Sequence, residues 1–192
     1  MALNQIKSNQ PRLVLGVTGS IAAFRAADLA SALTQAGIQV DVVMTREARK
    51  FITALTLESL SKRPVITVEE EPIIEGIPAH IALADAADLV LVAPVTANVL
   101  AQTALGLAGD VLTSLLLATR APIWMAPAMN GKMWEHPATI LNVQTLRSRG
   151  VEFIGPDTGL LACGYEGSGR MATVQEITQK VTSFLLCSSA KI

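Results

Sequence analysis

A chain of 192 residues with 15 Lys and Arg against 16 Asp and Glu carries a formal net charge of −1. It therefore offers no electrostatic footprint for nucleic acid or an anionic membrane surface, and neither is an expected partner. Only 16% of the residues are charged while 51% are hydrophobic, a low charge density that predicts surface buried between copies in a homo-oligomer.

The length suits one domain, large enough to bury roughly 70% of its unfolded surface. Residues 1–10 read as a flexible polar lead without the apolar core of a signal peptide, and residues 11–192 as the domain. No apolar run approaches the roughly 20 residues of a membrane span, so a soluble cytoplasmic protein is expected. The two cysteines, Cys163 and Cys187, fit no metal spacing. Free thiols and no metal site follow.

The first predicted strand, residues 12–17 (RLVLGV), runs into Gly16-Val17-Thr18-Gly19-Ser20-Ile21-Ala22-Ala23. Gly19 permits close backbone approach and Ser20 stands at an N-cap, where N–H groups and a hydroxyl gather for an anion. The sequence is neither GxGxxG nor a Walker loop, since the Lys is absent, and a single close-approach glycine suits a monophosphate better than a pyrophosphate. The same Gly-Ser pair also opens helices that bind nothing. A helix over residues 21–36 follows, ended by Gly37 at the C′ position.

The second strand, residues 38–44 (IQVDVVM), ends at Thr45, which could cap a helix or touch a cofactor. Further on, His80 sits in Ala79-His80-Ile81-Ala82-Leu83. A lone His among apolar residues is more often structural than catalytic, yet His80 is a better base candidate than His136, whose Trp134-Glu135-His136-Pro137 context reads as a turn before a helix. The third strand, residues 88–93 (DLVLVA), is the most apolar. It leads into Pro94-Val95-Thr96-Ala97-Asn98-Val99, a hydroxyl, a small residue and an amide in succession. Such short donors and acceptors suit the polar edge of a flavin, or Thr96 simply caps a helix.

The fourth strand, residues 122–126 (PIWMA), is followed by Pro127-Ala128-Met129-Asn130-Gly131-Lys132-Met133-Trp134. An Asn between soft apolar side chains can hold a carboxylate away from water; alternatively, Met and Trp at a strand end are core filler. A helix over 138–149, closed by Gly150, and a strand over 151–154 (VEFI) complete the pattern. Residues 155–169 hold five glycines and read as a mobile flap. Strands that are apolar on both faces, alternating with helices, predict a single-domain α/β fold. Its sheet is doubly wound and parallel, of Rossmann or flavodoxin type, with ligands at the strand ends.

The string from Pro127 to Trp134 matches the PxMNxxMW signature of the flavin-containing cysteine decarboxylases, a homo-oligomeric family. The segment from Pro94 to Val99 resembles that family's PASANT motif, with Val95, Thr96 and Val99 replacing Ala, Ser and Thr. His80 stands in its HIxL context, and Ala162-Cys163-Gly164-Tyr165-Glu166-Gly167-Ser168-Gly169-Arg170-Met171 resembles its ACGDxGxGRM substrate clamp. These motifs occur in family order over nearly the whole chain. The resemblance is closest to the branch that decarboxylates 4′-phosphopantothenoylcysteine to 4′-phosphopantetheine in coenzyme A biosynthesis, here without the ligase domain fused to many bacterial members. Peptidyl-cysteine decarboxylases, flavin prenyltransferases and non-catalytic FMN-binding regulators are the alternatives.

The resemblance implies FMN held by Gly19, Ser20, Ile21, Thr45, Phe51, Thr96, Ala97, Asn98, Val99 and Ala128. It implies substrate contacts from Asn130, Met133, Ala162, Arg170 and Met171, and a trimer or dodecamer with FMN between subunits. A plain cysteinyl carboxylate has no electron sink. Oxidation of the thiol to a thioaldehyde by FMN would let CO₂ leave as an enethiolate forms, and hydride return then completes the reaction. In that scheme Asn130 holds the carboxylate and amide, His80 acts in the oxidative half, Cys163 protonates during reduction, and Arg170 pairs with the phosphate. Tyr165 departs from the family Asp, which bears on clamp anchoring and substrate choice.

Overall fold

The computed structural model describes residues 10–67, 72–160, 164 and 166–188, the side chains of 187 and 188 excepted. Its centre is a six-stranded parallel sheet built from β1 (Arg12–Val17), β2 (Gln39–Met44), β3 (Ile66–Thr67), β6 (Leu89–Val95), β7 (Ile123–Pro127) and β8 (Glu152–Phe153). The order is β3-β2-β1-β6-β7-β8. Counting only the strands of this sheet, it reads 3-2-1-4-5-6, the Rossmann arrangement, so the direction of winding reverses between β1 and β6. Two antiparallel hairpins stand apart: β4 (Ile73–Ile74) with β5 (Ile77–Pro78), and β9 (Asp157–Leu160) with β10 (Glu166–Arg170).

Side chains alternate faces along each strand, and both faces are covered. Leu13, Leu15 and Val17 of β1 point to the side packed by α1 (Arg25–Gln35), α2 (Ala54–Ser61) and α8 (Val174–Ser188). Val14 of β1, with Val90 and Val92 of β6, faces α3 (Ala79–Ala86), α4 (Ala97–Leu105), α5 (Val111–Ala118) and α7 (Pro137–Ser148). Gly16 lets α5 close on the sheet, because a Cβ there would stand 2.7 Å from Leu112 Cδ1. The short α6 (Gly131–Trp134) follows β7. Each buried Leu in these layers is worth about 2–5 kcal/mol against truncation to Ala.

At the β3 edge, Asp41 is buried and accepts from Arg12 Nε at 2.5 Å and Arg63 Nε at 2.6 Å. Two cations on one carboxylate compensate its desolvation and tie the segment before β3 to β1 and β2.

The expected strands all appear. The third runs on through Pro94 and Val95, while the fifth shrinks to Glu152–Phe153. The first expected helix is divided: Ile21–Phe24 is a 3-10 turn and the α-helix begins at Arg25. Gly37 and Gly150 end α1 and α7 with φ of +82° and +87°. The described arms of the segment expected as a mobile flap form the β9–β10 hairpin, so it is paired where a loop was expected.

Candidate functional site

Three strand ends converge where the sheet reverses direction. Beyond β1, Thr18 is fully buried, and its hydroxyl donates to the Pro94 carbonyl at 2.8 Å and accepts the Thr96 N–H at 3.1 Å. This one side chain locks the β1 turn against the end of β6. Gly19 follows, packed so closely on the segment after β2 that a Cβ would collide with Glu47. Ser20 then caps the 3-10 turn, accepting the Ala22 N–H at 3.3 Å. After β2, Thr45 accepts the Ala48 N–H at 3.3 Å; after β6, Thr96 caps α4 by accepting the Val99 N–H at 3.4 Å.

These turns enclose a cavity of about 480 Å³ lined by Gly19, Ser20, Thr45, Arg46, Glu47, Thr96, Ala97, Asn98, Val99, Gln102, Asp110, Ala128, Met129 and Met133. The volume lies within the roughly 300–1,000 Å³ of small-molecule sites. Its walls present hydroxyls, the two amides of Asn98 and Gln102, the charged Arg46, Glu47 and Asp110, and small apolar groups, a polar set that suits a flavin mononucleotide. Val99 lines the cavity without the hydroxyl of the family motif, and Asp110 caps α5 through a reciprocal pair with Thr113.

A second cavity, of about 550 Å³, adjoins the first and shares Ser20 and Met129 with it. Ile21, Ala22, Phe24, Arg25, Asn130, Leu160, Gly169, Arg170 and Met171 complete its lining. Phe24 and Leu160 are 53% and 67% exposed, giving apolar walls, and Arg25 stacks on the Phe24 ring at 5.4 Å. Asn130 is the N-cap of α6. Its Oδ1 accepts the Lys132 N–H at 2.9 Å, so any contact to a carboxylate falls to the Nδ2 donor.

The structure thus groups Gly19, Ser20, Thr45, Thr96, Ala97, Asn98, Val99, Ala128 and Met133 in the first cavity. Ile21, Asn130, Arg170 and Met171 belong to the second. Phe51 is 45% exposed just after a short 3-10 turn, Ala48–Lys50, and lines neither cavity. His80, half-buried at the start of α3, also lines neither. Ala162, Cys163 and Tyr165 lie outside the described residues.

Sequence reading missed Arg25, Phe24 and Asp110. Arg25 and Phe24 sit inside what reads as an ordinary amphipathic helix, whereas in the structure they stand at the junction of the 3-10 turn and α1 and line the second cavity.

Residues 2–186 match the Flavoprotein family. The chain is 44% identical over 173 residues to the coenzyme A biosynthesis bifunctional protein CoaBC of Vibrio vulnificus, covering 90% of this chain but 43% of that one. It therefore spans less than half the length of those relatives. It is 46% identical over 175 residues to the probable phosphopantothenoylcysteine decarboxylase of Streptococcus mutans, covering 88% of this chain and 96% of that one. Among solved structures, a cysteine-to-serine variant of PPC decarboxylase complexed with pantothenoylaminoethenethiol superposes with a TM-score of 0.82. The identity is 32%, over 91% of this chain and 98% of that one. With the turns, cavities and motifs in one frame, the chain belongs to the Flavoprotein family.

Proposed function

We propose that this chain is an FMN-dependent decarboxylase that converts 4′-phosphopantothenoylcysteine to 4′-phosphopantetheine in coenzyme A biosynthesis, in the cytoplasm. The observation that carries the reading is the second cavity. It sets an amide donor, Asn130, and two cations, Arg25 and Arg170, in one apolar-walled space directly against the first cavity. A substrate that carries both a carboxylate and a phosphate suits that set of polar groups. The full-length relative named for this decarboxylase supports the substrate, and the family supports the flavin.

In this reading the first cavity holds FMN, with its phosphate at the Gly19-Ser20 turn and its ring toward Thr96, Asn98 and Ala128. Bound there, FMN supplies a reversible two-electron acceptor, which a plain cysteinyl carboxylate lacks. Asn130 holds the carboxylate through Nδ2 in a space closed by Met129 and Met171. Arg25 and Arg170 pair with the phosphate at the far end, and Cys163 delivers the proton that completes the product. His80 lines neither cavity of its own chain, so it serves the cavity of a neighbouring copy.

That last point requires a homo-oligomer, a trimer or four such trimers. Exposed Leu105 (72%), Leu107, Ile140 and Leu141 (62%) on and beside α4 and α7 give apolar surface for subunit contact. Among the described residues no helix is long and apolar enough to cross a membrane. The test is direct: purified yellow protein should convert 4′-phosphopantothenoylcysteine to 4′-phosphopantetheine by mass spectrometry. Flavin-loaded protein that leaves this substrate untouched while decarboxylating a peptidyl cysteine would move it to the peptide branch.

A further inference from the structure

Gly169 is the residue at which the β9–β10 hairpin leaves its own ladder. The pairs run Glu166 with Leu160, Gly167 with Gly159 and Ser168 with Thr158, then jump to Arg170 with Asp157, so Gly169 is bulged out of register. A bulge leaves a residue unpaired and re-aims its backbone. Here the Gly169 carbonyl turns to the loop after β7 and accepts the Met129 N–H at 2.9 Å. The approach leaves no room for a side chain. A Cβ at residue 169 would collide with the Met129 carbonyl oxygen and stand 3.3 Å from the Gly131 nitrogen, and φ is +143°, a conformation L residues rarely adopt.

The two segments joined here both contribute to the second cavity. Met129 precedes Asn130, and Arg170 follows Gly169; all four residues line that space. The position of Asn130 relative to Arg170 is therefore tied to a backbone contact that leaves no room for a side chain at residue 169.

We propose that Gly169 is a positioning residue: it docks the β9–β10 hairpin onto the Met129–Asn130 loop and so fixes the carboxylate-holding amide relative to the cation on the hairpin. Gly169 acts through these neighbours and need not touch the reacting atoms. The proposal rests on the decarboxylase reading above. A residue serving packing alone would lower stability and leave the kinetics of the folded protein unchanged.

Two variants of the FMN-loaded protein test this. Gly169→Ala forces the two segments apart. Replacing Met129 by its α-hydroxy acid, which turns the 128–129 amide into an ester, deletes the donated N–H and weakens the Ala128 carbonyl as an acceptor, with every side chain kept. Hydrogen–deuterium exchange and steady-state turnover of 4′-phosphopantothenoylcysteine are then compared with the parent. Exchange should rise in peptides covering β10 and residues 128–134 but not in β1, with flavin content unchanged. The value of kcat/KM should fall by about a hundredfold in Gly169→Ala, the loss that accompanies a misplacement of about 1 Å, and in the same direction in the ester. If the Ala variant does not fold, the ester decides. The proposal is overturned if exchange rises while kcat/KM stays at the parent value, or if neither changes. A parent without turnover of any cysteine substrate sinks the decarboxylase reading and the positioning role with it. An active parent with indifferent variants sinks the positioning role alone.

Discussion

Thr18 and Thr96, 78 residues apart in sequence, meet at 3.1 Å where the sheet reverses direction, the buried hydroxyl of one accepting the backbone N–H of the other. Thr96 in turn caps α4, and two residues after Thr18 stands Ser20, so both polar edges of the first cavity are held by one buried side chain. Such a locked pair of turns presents its donors without rearrangement when a ligand arrives.

Ser20→Phe should abolish flavin binding. The hydroxyl caps the turn and its side chain lines both cavities, so a ring in its place fills the space between Gly19 and Met129. Purified variant should be colourless yet folded, as judged by circular dichroism. Retention of a full complement of FMN would remove the Gly19-Ser20 turn from the cofactor site.

His80→Asn should leave the protein yellow and lower turnover by about 10²- to 10⁴-fold, the usual worth of a positioned acid or base. Because His80 lines neither cavity of its own chain, a second experiment follows. Differently tagged His80→Asn and Asn130→Asp chains, co-expressed and purified as mixed oligomers, should recover activity. Some interfaces then combine an intact His80 with an intact Asn130. Mixed oligomers as inactive as either parent would exclude the service of His80 to a neighbouring copy's cavity.

Asn130→Asp keeps the oxygen that accepts the Lys132 N–H, so α6 retains its cap. It replaces the Nδ2 donor by a second carboxylate oxygen facing the substrate carboxylate. Affinity for substrate, measured by calorimetry, should weaken by about tenfold or more from like-charge contact. Flavin affinity should hardly move. Unchanged substrate affinity would exclude Asn130 from the site.

Cys163→Ser separates the two halves of the reaction. In the proposed scheme oxidation and CO₂ loss need no proton from this residue, whereas reduction of the enethiolate does, and a hydroxyl is a far weaker acid than a thiol. The variant should release CO₂ and yield a product two hydrogens lighter than the normal aminothiol by mass spectrometry. Normal product at the parent rate would make Cys163 structural. Absence of CO₂ would place it earlier in the sequence of steps.

The strands that carry the site were legible because both of their faces are apolar: residues 12–17 were placed to the residue. The residues after β1, β6 and β7 read either as ligand turns or as ordinary helix caps and core filler, and the resemblance to the family motifs tipped the reading toward ligands. α2, α3, α5, α6 and α8 and the short strands β3, β4 and β5 were not legible, for physical reasons. α3 and α5 are mostly apolar and buried against each other's face of the sheet, so they carry little amphipathic contrast. β3 is two residues long, and the Arg63–Asp41 contact ties the segment before it to β2. The hairpin around Gly169 was hidden by its glycines, which signal looseness by propensity, although Gly169 itself serves close backbone packing.

The two cavities are divided by little more than Ser20 and Met129, which line both. A partition that thin makes each chamber a reporter on the other. Under the flavin reading, anything entering the second space presses on groups that also surround the chromophore, so occupancy should register as a shift in the visible absorption band before any chemistry occurs. Inhibitors could then be ranked optically, without a labelled substrate. A compound long enough to displace Met129 would loosen the bound cofactor as well as block the substrate.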